Sequence, residues 1–167
     1  MEATDTSDDV QPNVRQALER RGMAFKVYAC DPDFADTANF CEKYGFSPGQ
    51  AANCILVASK SEPPQVACCI VLATTKLDVN KKVCQLLGVK KASFASAEFT
   101  VELTGMQVGG VTPFGLPDMP IYIDGAVMPH DEVVLGGGNR SSKVLMQPSE
   151  LLKLPGAQVV EGLAVLK

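Results

Sequence analysis

Apolar positions change their spacing repeatedly along the chain, and each change marks an element. Val14, Ala17 and Leu18 recur at helical intervals within Gln11–Arg21, and Gly22 stops the run. Phe25, Val27 and Ala29 alternate across Ala24–Cys30, which predicts a strand. Asp31–Asp36 contains Pro32 and reads as a loop; Thr37 can then cap a helix that runs to Tyr44 before Gly45. In Ser47-Pro48-Gly49-Gln50, serine suits an N-cap, proline the first helical position and glutamine the reciprocal bond of a capping box. Asn53–Ser59 and Val66–Ala73 are nearly continuous apolar runs joined by a turn with Pro63 and Pro64. They predict a hairpin at the centre of a sheet.

Asp78 can cap a helix over Val79–Leu87 with Val83, Leu86 and Leu87 inward, ended by Gly88. Val89–Phe94 is extended, and Ser96 caps a helix through Leu103 with Glu98 in its first turn, where a negative charge suits the helix dipole. Pro120–Asp124, Glu132–Leu135, Lys143–Met146 and Ala157–Val160 read as strands, with a short helix at Pro148–Leu154. This order predicts one mixed α/β domain over 11–167 with several antiparallel strands, not a series of βαβ units. Residues 1–10 carry Glu2, Asp5, Asp8 and Asp9 without a base and read as a flexible acidic leader.

Two segments break the periodicity. Gly105–Gly115, G-M-Q-V-G-G-V-T-P-F-G, holds four glycines yet stays apolar between them. Such a segment either turns tightly with bare N–H groups facing a ligand, or is a buried connection whose glycines serve backbone geometry. Gly136–Ser142, G-G-G-N-R-S-S, offers backbone amides, hydroxyls and Arg140 to an anion or ribose, or is a plain hairpin loop. Neither segment has the phosphate-loop or dinucleotide-fold arrangement of glycines.

The 167 residues are 46% hydrophobic and 20% charged, with net charge −4. No apolar run approaches the roughly 18–20 residues of a membrane span, and the N-terminus lacks a secretory pattern, so a cytoplasmic protein is expected. Net acidity does not suit non-specific nucleic-acid binding, but Lys76, Lys81, Lys82, Lys90 and Lys91 can form a local basic rim, with Arg140 and Lys143 further on. Cysteines 30, 41, 54, 68, 69 and 84 match no zinc spacing and sit in apolar settings; no metal or cofactor is expected. His130 follows Pro129 in a surface turn, and no nucleophile elbow is visible. Asp124, ending a strand, serves as base, orienting acceptor or turn cap. Thr112 can use its hydroxyl or its backbone N–H. The Asn53 amide can cap backbone or reach a substrate carbonyl or hydroxyl.

The segments S-P-G-Q-A-A-N-C-I-L-V (47–57), L-D-V-N-K-K-V (77–83), L-G-V-K-K-A (87–92), L-T-G-M-Q-V-G-G-V-T-P-F-G (103–115), Y-I-D (122–124) and G-G-G-N-R (136–140) together resemble the YbaK/prolyl-tRNA synthetase-associated family. The resemblance spans roughly residues 11–162 and is most specific at 103–115. It implies a curved, barrel-like, mostly antiparallel sheet with flanking helices, and hydrolysis of the ester joining a wrong amino acid to the 3′-terminal adenosine of tRNA. It places Gly105, Gly109, Gly110 and Thr112 near the aminoacyl group, and Asp124 with Gly137, Gly138, Arg140 and Ser141 on a second wall. Members acting on cysteinyl- or alanyl-tRNA commonly carry lysine where this chain has Asn53, and Cys30 falls near a position some members fill with an aromatic. Asparagine brings no charge and a shorter reach, which points to altered specificity or to lost activity.

With no protein nucleophile in view, water or the terminal ribose hydroxyl attacks the ester while N–H groups of 109–112 hold the oxyanion. Lys81, Lys82, Arg140 or Lys143 can meet phosphate. The implied partners are the mischarged tRNA acceptor end and an aminoacyl-tRNA synthetase. The competing readings are a non-catalytic tRNA- or protein-binding module and a hydrolase of another small acyl ester.

Overall fold

The structure is a computed structural model that describes residues 10–107 and 109–167. Three sheets organise it. The largest is built on a hairpin, β2 (Ala52–Ser59) with β3 (Val66–Leu72), as the two apolar runs predict. β5 (Ala92–Phe94) adds antiparallel to β2; β6 (Ile121–Asp124) and β9 (Ala157–Val160) add in parallel beyond β3. A second sheet has the order β1 (Lys26–Ala29), β8 (Ser142–Met146), β7 (Val133–Gly136), all antiparallel. β4 (Thr75–Leu77) pairs only with β10 (Ala164–Leu166) among the described residues.

The central strands show why no simple alternation marks them. Cys68, Ile70 and Leu72 of β3 face one apolar core, while Ala67, Cys69 and Val71 face another, so both faces are buried. The first core joins β3 to Val133 and Leu135 of β7, Val144 and Met146 of β8, and Val14 and Leu18 of α1 (Pro12–Arg20). The second lies between β3 and Val83, Cys84 and Leu163. On the other side of β7 and β8, Val134 and Leu145 meet Phe40 and Cys41 of α2 (Thr37–Tyr44). Val10, placed by the sequence in the leader, is buried in the first core; residues 1–9 of that leader lie outside the described residues.

The expected barrel-like curvature is not found. The large sheet is open, running from β5 at one edge to β9 at the other, and it meets the second sheet by one isolated bridge, Ala51 to Val134. Side chains of the two sheets share the first core without a joined ladder. Where a ladder would have to continue, the two glycine-rich segments bond to each other: Gly138 N–H donates to Gly110 O at 2.7 Å. A backbone so engaged has no free edge to offer a neighbouring strand.

Local signals also explain the helices. Asp78 and Ser96 cap as expected, accepting from Lys81 N and Phe99 N. The first of these helices opens as a wide π turn, Val79–Val83, before α3 (Cys84–Leu87). Ser96 starts α4 (Ala97–Thr104), and Gly105 closes it with φ 71°. Asp36, not Thr37, occupies the N-cap of α2, which frees Thr37 for another bond. Among the described residues no helix is long and apolar enough to cross a membrane.

Candidate functional site

A cavity of about 400 Å³ opens between β2, α2 and the β7–β8 pair. Its walls carry Thr37 and Phe40 from α2, residues 52–56 of β2, Val134, Leu135 and Gly136 of β7, and Lys143 of β8. Gly109 and Val111 close one side; Phe94, Ala95 and Thr100 close another.

Asn53 projects into this space half-buried, and its Oδ1 accepts a 2.7 Å hydrogen bond from Thr37 Oγ1. That bond fixes the amide plane and turns the Nδ2 donors away from the helix. Both residues owe their place to local signals. Asp36 takes the cap, so Thr37 begins the helix, and the β2 run brings Asn53 opposite it.

Lys143 is the residue whose place the sequence conceals. Only 6% of it is exposed. Its Nζ donates to Gly109 O at 3.1 Å and stands 5.6 Å from the Phe40 ring centre. Burial holds its pKa below the ordinary lysine value; Arg140 adds to the lowering, while Cys30, Asp36 and Cys41 oppose it. The same burial raises the Cys30 and Cys41 thiols, with Lys143 pulling the other way. The signal was strand alternation: Lys143 shares a face with Leu145, and that face is covered by α2.

Arg140 lies at the rim. Its Nη1 meets Asp36 Oδ1 at 3.3 Å, and its Nη2 donates to Pro32 O at 2.9 Å. The pair packs over Gly109, where a Cβ would collide with the guanidinium.

The remaining residues singled out in the sequence divide sharply. Asn53 and Gly109 line the cavity. Gly110 lies behind it, buried, with its N–H donated to Gln107 O at 2.9 Å. Thr112 is fully buried, and its Oγ1 has no hydrogen-bond partner among the described residues. Gly105 caps α4, and its carbonyl accepts from Gln11 Nε2. Gly137 O accepts from Gln11 N–H, and Gly138 is enclosed by Val14 and Gln11. Ser141 N–H bonds to Asn139 Oδ1. Asp124 is buried at the end of β6 and accepts from Ala164 N at 3.4 Å, in the β10 region. None of these seven lines the cavity. Gly136, one residue earlier than the expected wall, does.

The lining holds no histidine, and its one thiol, Cys54, lies 3.2 Å from the Cys68 sulfur and packs against the first core. Among the described residues no three His, Cys, Asp or Glu side chains converge as a metal site would require. The arrangement presents fixed donors, an amide and an ammonium, to a small polar group in a partly apolar hollow.

Comparison with known proteins supplies the context. The aminoacyl-tRNA editing domain family matches residues 31–154. YwhH, an uncharacterized protein of Bacillus subtilis (strain 168), is 34% identical over 101 residues, which span 60% of this chain and 63% of YwhH. A candidate trans-editing enzyme for prolyl-tRNA synthetase superposes with TM-score 0.79 at 28% identity, covering 95% of this chain and 99% of that one. The hypothetical protein APE2540 superposes with TM-score 0.81 at 25% identity, covering 91% and 99%. The match covers most of the chain, including every strand that lines the cavity, and the chain belongs to the aminoacyl-tRNA editing domain family.

Proposed function

We propose that this chain hydrolyses the ester of a mischarged tRNA bearing a small amino acid. The observation that carries the reading is the cavity itself. It has about 400 Å³, Asn53 and Lys143 as fixed donors, and no nucleophile–base pair, in a chain of the editing family. That volume is at the lower end for small-molecule sites, about 300–1,000 Å³, which favours a small amino acid over a bulky one. Water is the attacking group, and the protein contributes position and charge.

The acceptor end approaches across Phe94. This ring is 59% exposed and borders both the cavity and a second hollow lined by Lys76. Lys76, Lys81, Lys82, Lys90 and Lys91 form no ion pair among the described residues, so their charge is available to phosphate. An exposed aromatic sharing a hollow with Lys76 suits a stacked, single-stranded end.

One observation favours a binding-only module: the Gly110 N–H is committed to Gln107 O and so is withdrawn from an oxyanion role. A deacylation screen over tRNAs charged with alanine, serine, threonine and cysteine separates the two readings. Cleavage of at least one above the spontaneous rate is expected. Folded protein that binds these tRNAs and cleaves none would sink the hydrolase and leave the module.

A further inference from the structure

Lys143 is the sole buried cation among the described residues, and it is under-partnered. An ammonium has three donors, and its single hydrogen bond among the described residues goes to Gly109 O. No carboxylate lies within ion-pair range of it among the described residues; Asp36, whose charge acts on it, is engaged by Arg140 at 3.3 Å. Removing an ammonium from water without a counter-charge is strongly unfavourable. A methionine would fill the same space without that cost. A fold gains from the charge only if something entering the cavity answers it, and Lys143 is part of the cavity wall.

We propose that Lys143 Nζ receives the negative charge that forms on the carbonyl oxygen of the scissile ester. The inference rests on the hydrolase reading above. Water adds to the carbonyl carbon, and the C=O π pair moves onto oxygen beside the ammonium. The tetrahedral species then expels the ribose oxygen, which takes up the proton lost by the attacking water. The products are the free amino acid and an intact 3′ end, with no other reactant. The Asn53 amide, held by Thr37, orients the substrate from the facing wall. Gly110 N–H, bonded elsewhere, leaves the ammonium as the cavity's strongest donor.

Two measurements test this on the full chain. In single-turnover deacylation of a tRNA that the wild type cleaves, Lys143→Gln and Lys143→Met lower the chemical step about 100- to 1,000-fold. KM stays within about threefold, as for an interaction made only in the transition state. In direct binding, a phosphonate analogue of the aminoacyl-adenosine ester loses affinity by the same factor as the rate, while the uncharged amide analogue does not. The wild-type rate falls on the alkaline side as Lys143 loses its proton, under the combined influence of Cys30, Asp36, Cys41 and Arg140; the variants lack that limb.

A Lys143→Gln rate within threefold of wild type overturns the assignment while leaving the hydrolase standing. Equal affinity losses for both analogues overturn it too, since the lysine would then hold the ground state. A wild type that cleaves no mischarged tRNA removes the hydrolase reading and this step together. Thermal melting checks that each variant is folded; where the glutamine variant is not, the methionine variant carries the measurement.

Discussion

Gly110→Ala probes the joint between the two glycine-rich segments. A Cβ at this position collides with the carbonyl oxygen of Asn139 and lies 2.6 Å from its carbon and 2.8 Å from its nitrogen. The obstacle is backbone, so no rotamer change relieves it. The same residue is held by two hydrogen bonds, Gly110 N–H to Gln107 O at 2.9 Å and Gly138 N–H to Gly110 O at 2.7 Å. Gln107 N–H to Gly138 O at 3.0 Å completes the joint. Overpacking of this kind costs about 1–3 kcal/mol. Straining two of the bonds adds about 0.5–1.5 kcal/mol each. Together they give about 2–6 kcal/mol, a large part of the roughly 5–15 kcal/mol that holds a domain together. For a chain of this size that is a fall in Tm of about 4–24 °C. Gly45→Ala is the control: its φ is 79°, but nothing lies within 4 Å of the added carbon. It should lose only the left-handed backbone cost, about 1–2 kcal/mol. Thermal and urea unfolding of both variants decide the matter. A Gly110→Ala protein melting within 2 °C of wild type, or above Gly45→Ala, refutes the argument that these glycines are there for close approach.

Four further outcomes follow from the site and the cores. Because the Lys143 pKa is lowered in the fold, the unfolded chain binds the extra proton first, and the fold regains stability as pH rises from the folded value to about 10.4. The urea midpoint of wild type relative to Lys143→Met should therefore climb over that range, and a flat difference would contradict it. Thr37→Val releases the Asn53 amide and should lower deacylation about tenfold, with the loss matched by Asn53→Ala and not compounded in the double variant. Cys68 and Cys69 are fully buried, and their thiols are pushed well up, chiefly by the Cys54 contact and by burial respectively. A thiol reagent at pH 8 should label them only at the rate of unfolding; prompt labelling would contradict their placement. Phe94→Ala should weaken binding of a single-stranded CCA-ending RNA about tenfold, read by anisotropy, and unchanged binding would contradict the approach across this ring.

The sequence was legible where a structure depends on neighbours in the chain. Ser47, Asp78 and Ser96 cap, and Gly45, Gly88 and Gly105 close helices with positive φ, because each acts within a few residues. The β2–β3 hairpin was legible for the same reason. β4 and β10 were not, being three residues each and paired across most of the chain. The parallel pairing of β3, β6 and β9 carries no local mark either, and without it an open sheet cannot be told from a curved one. At the site, Asn53 and Gly109 stood out by type and setting. Lys143 did not, since a lone lysine in S-K-V-L-M reads as solvent-facing until α2 is known to cover that face. Gly110, Gly138 and Ser141 stood out for a ligand, and their N–H groups turned out to bond within the protein.

The N-terminal helix holds a position that its distance from the cavity disguises. Gln11 bonds through its N–H to Gly137 and through its side chain to Gly105, and Val14 seats against Gly138. The helix thus acts as a keystone for both glycine-rich segments. A chain shortened past Gln11 should keep its central sheet yet let the cavity's far wall breathe, with amide protons of Gly110 and Gly138 exchanging in step.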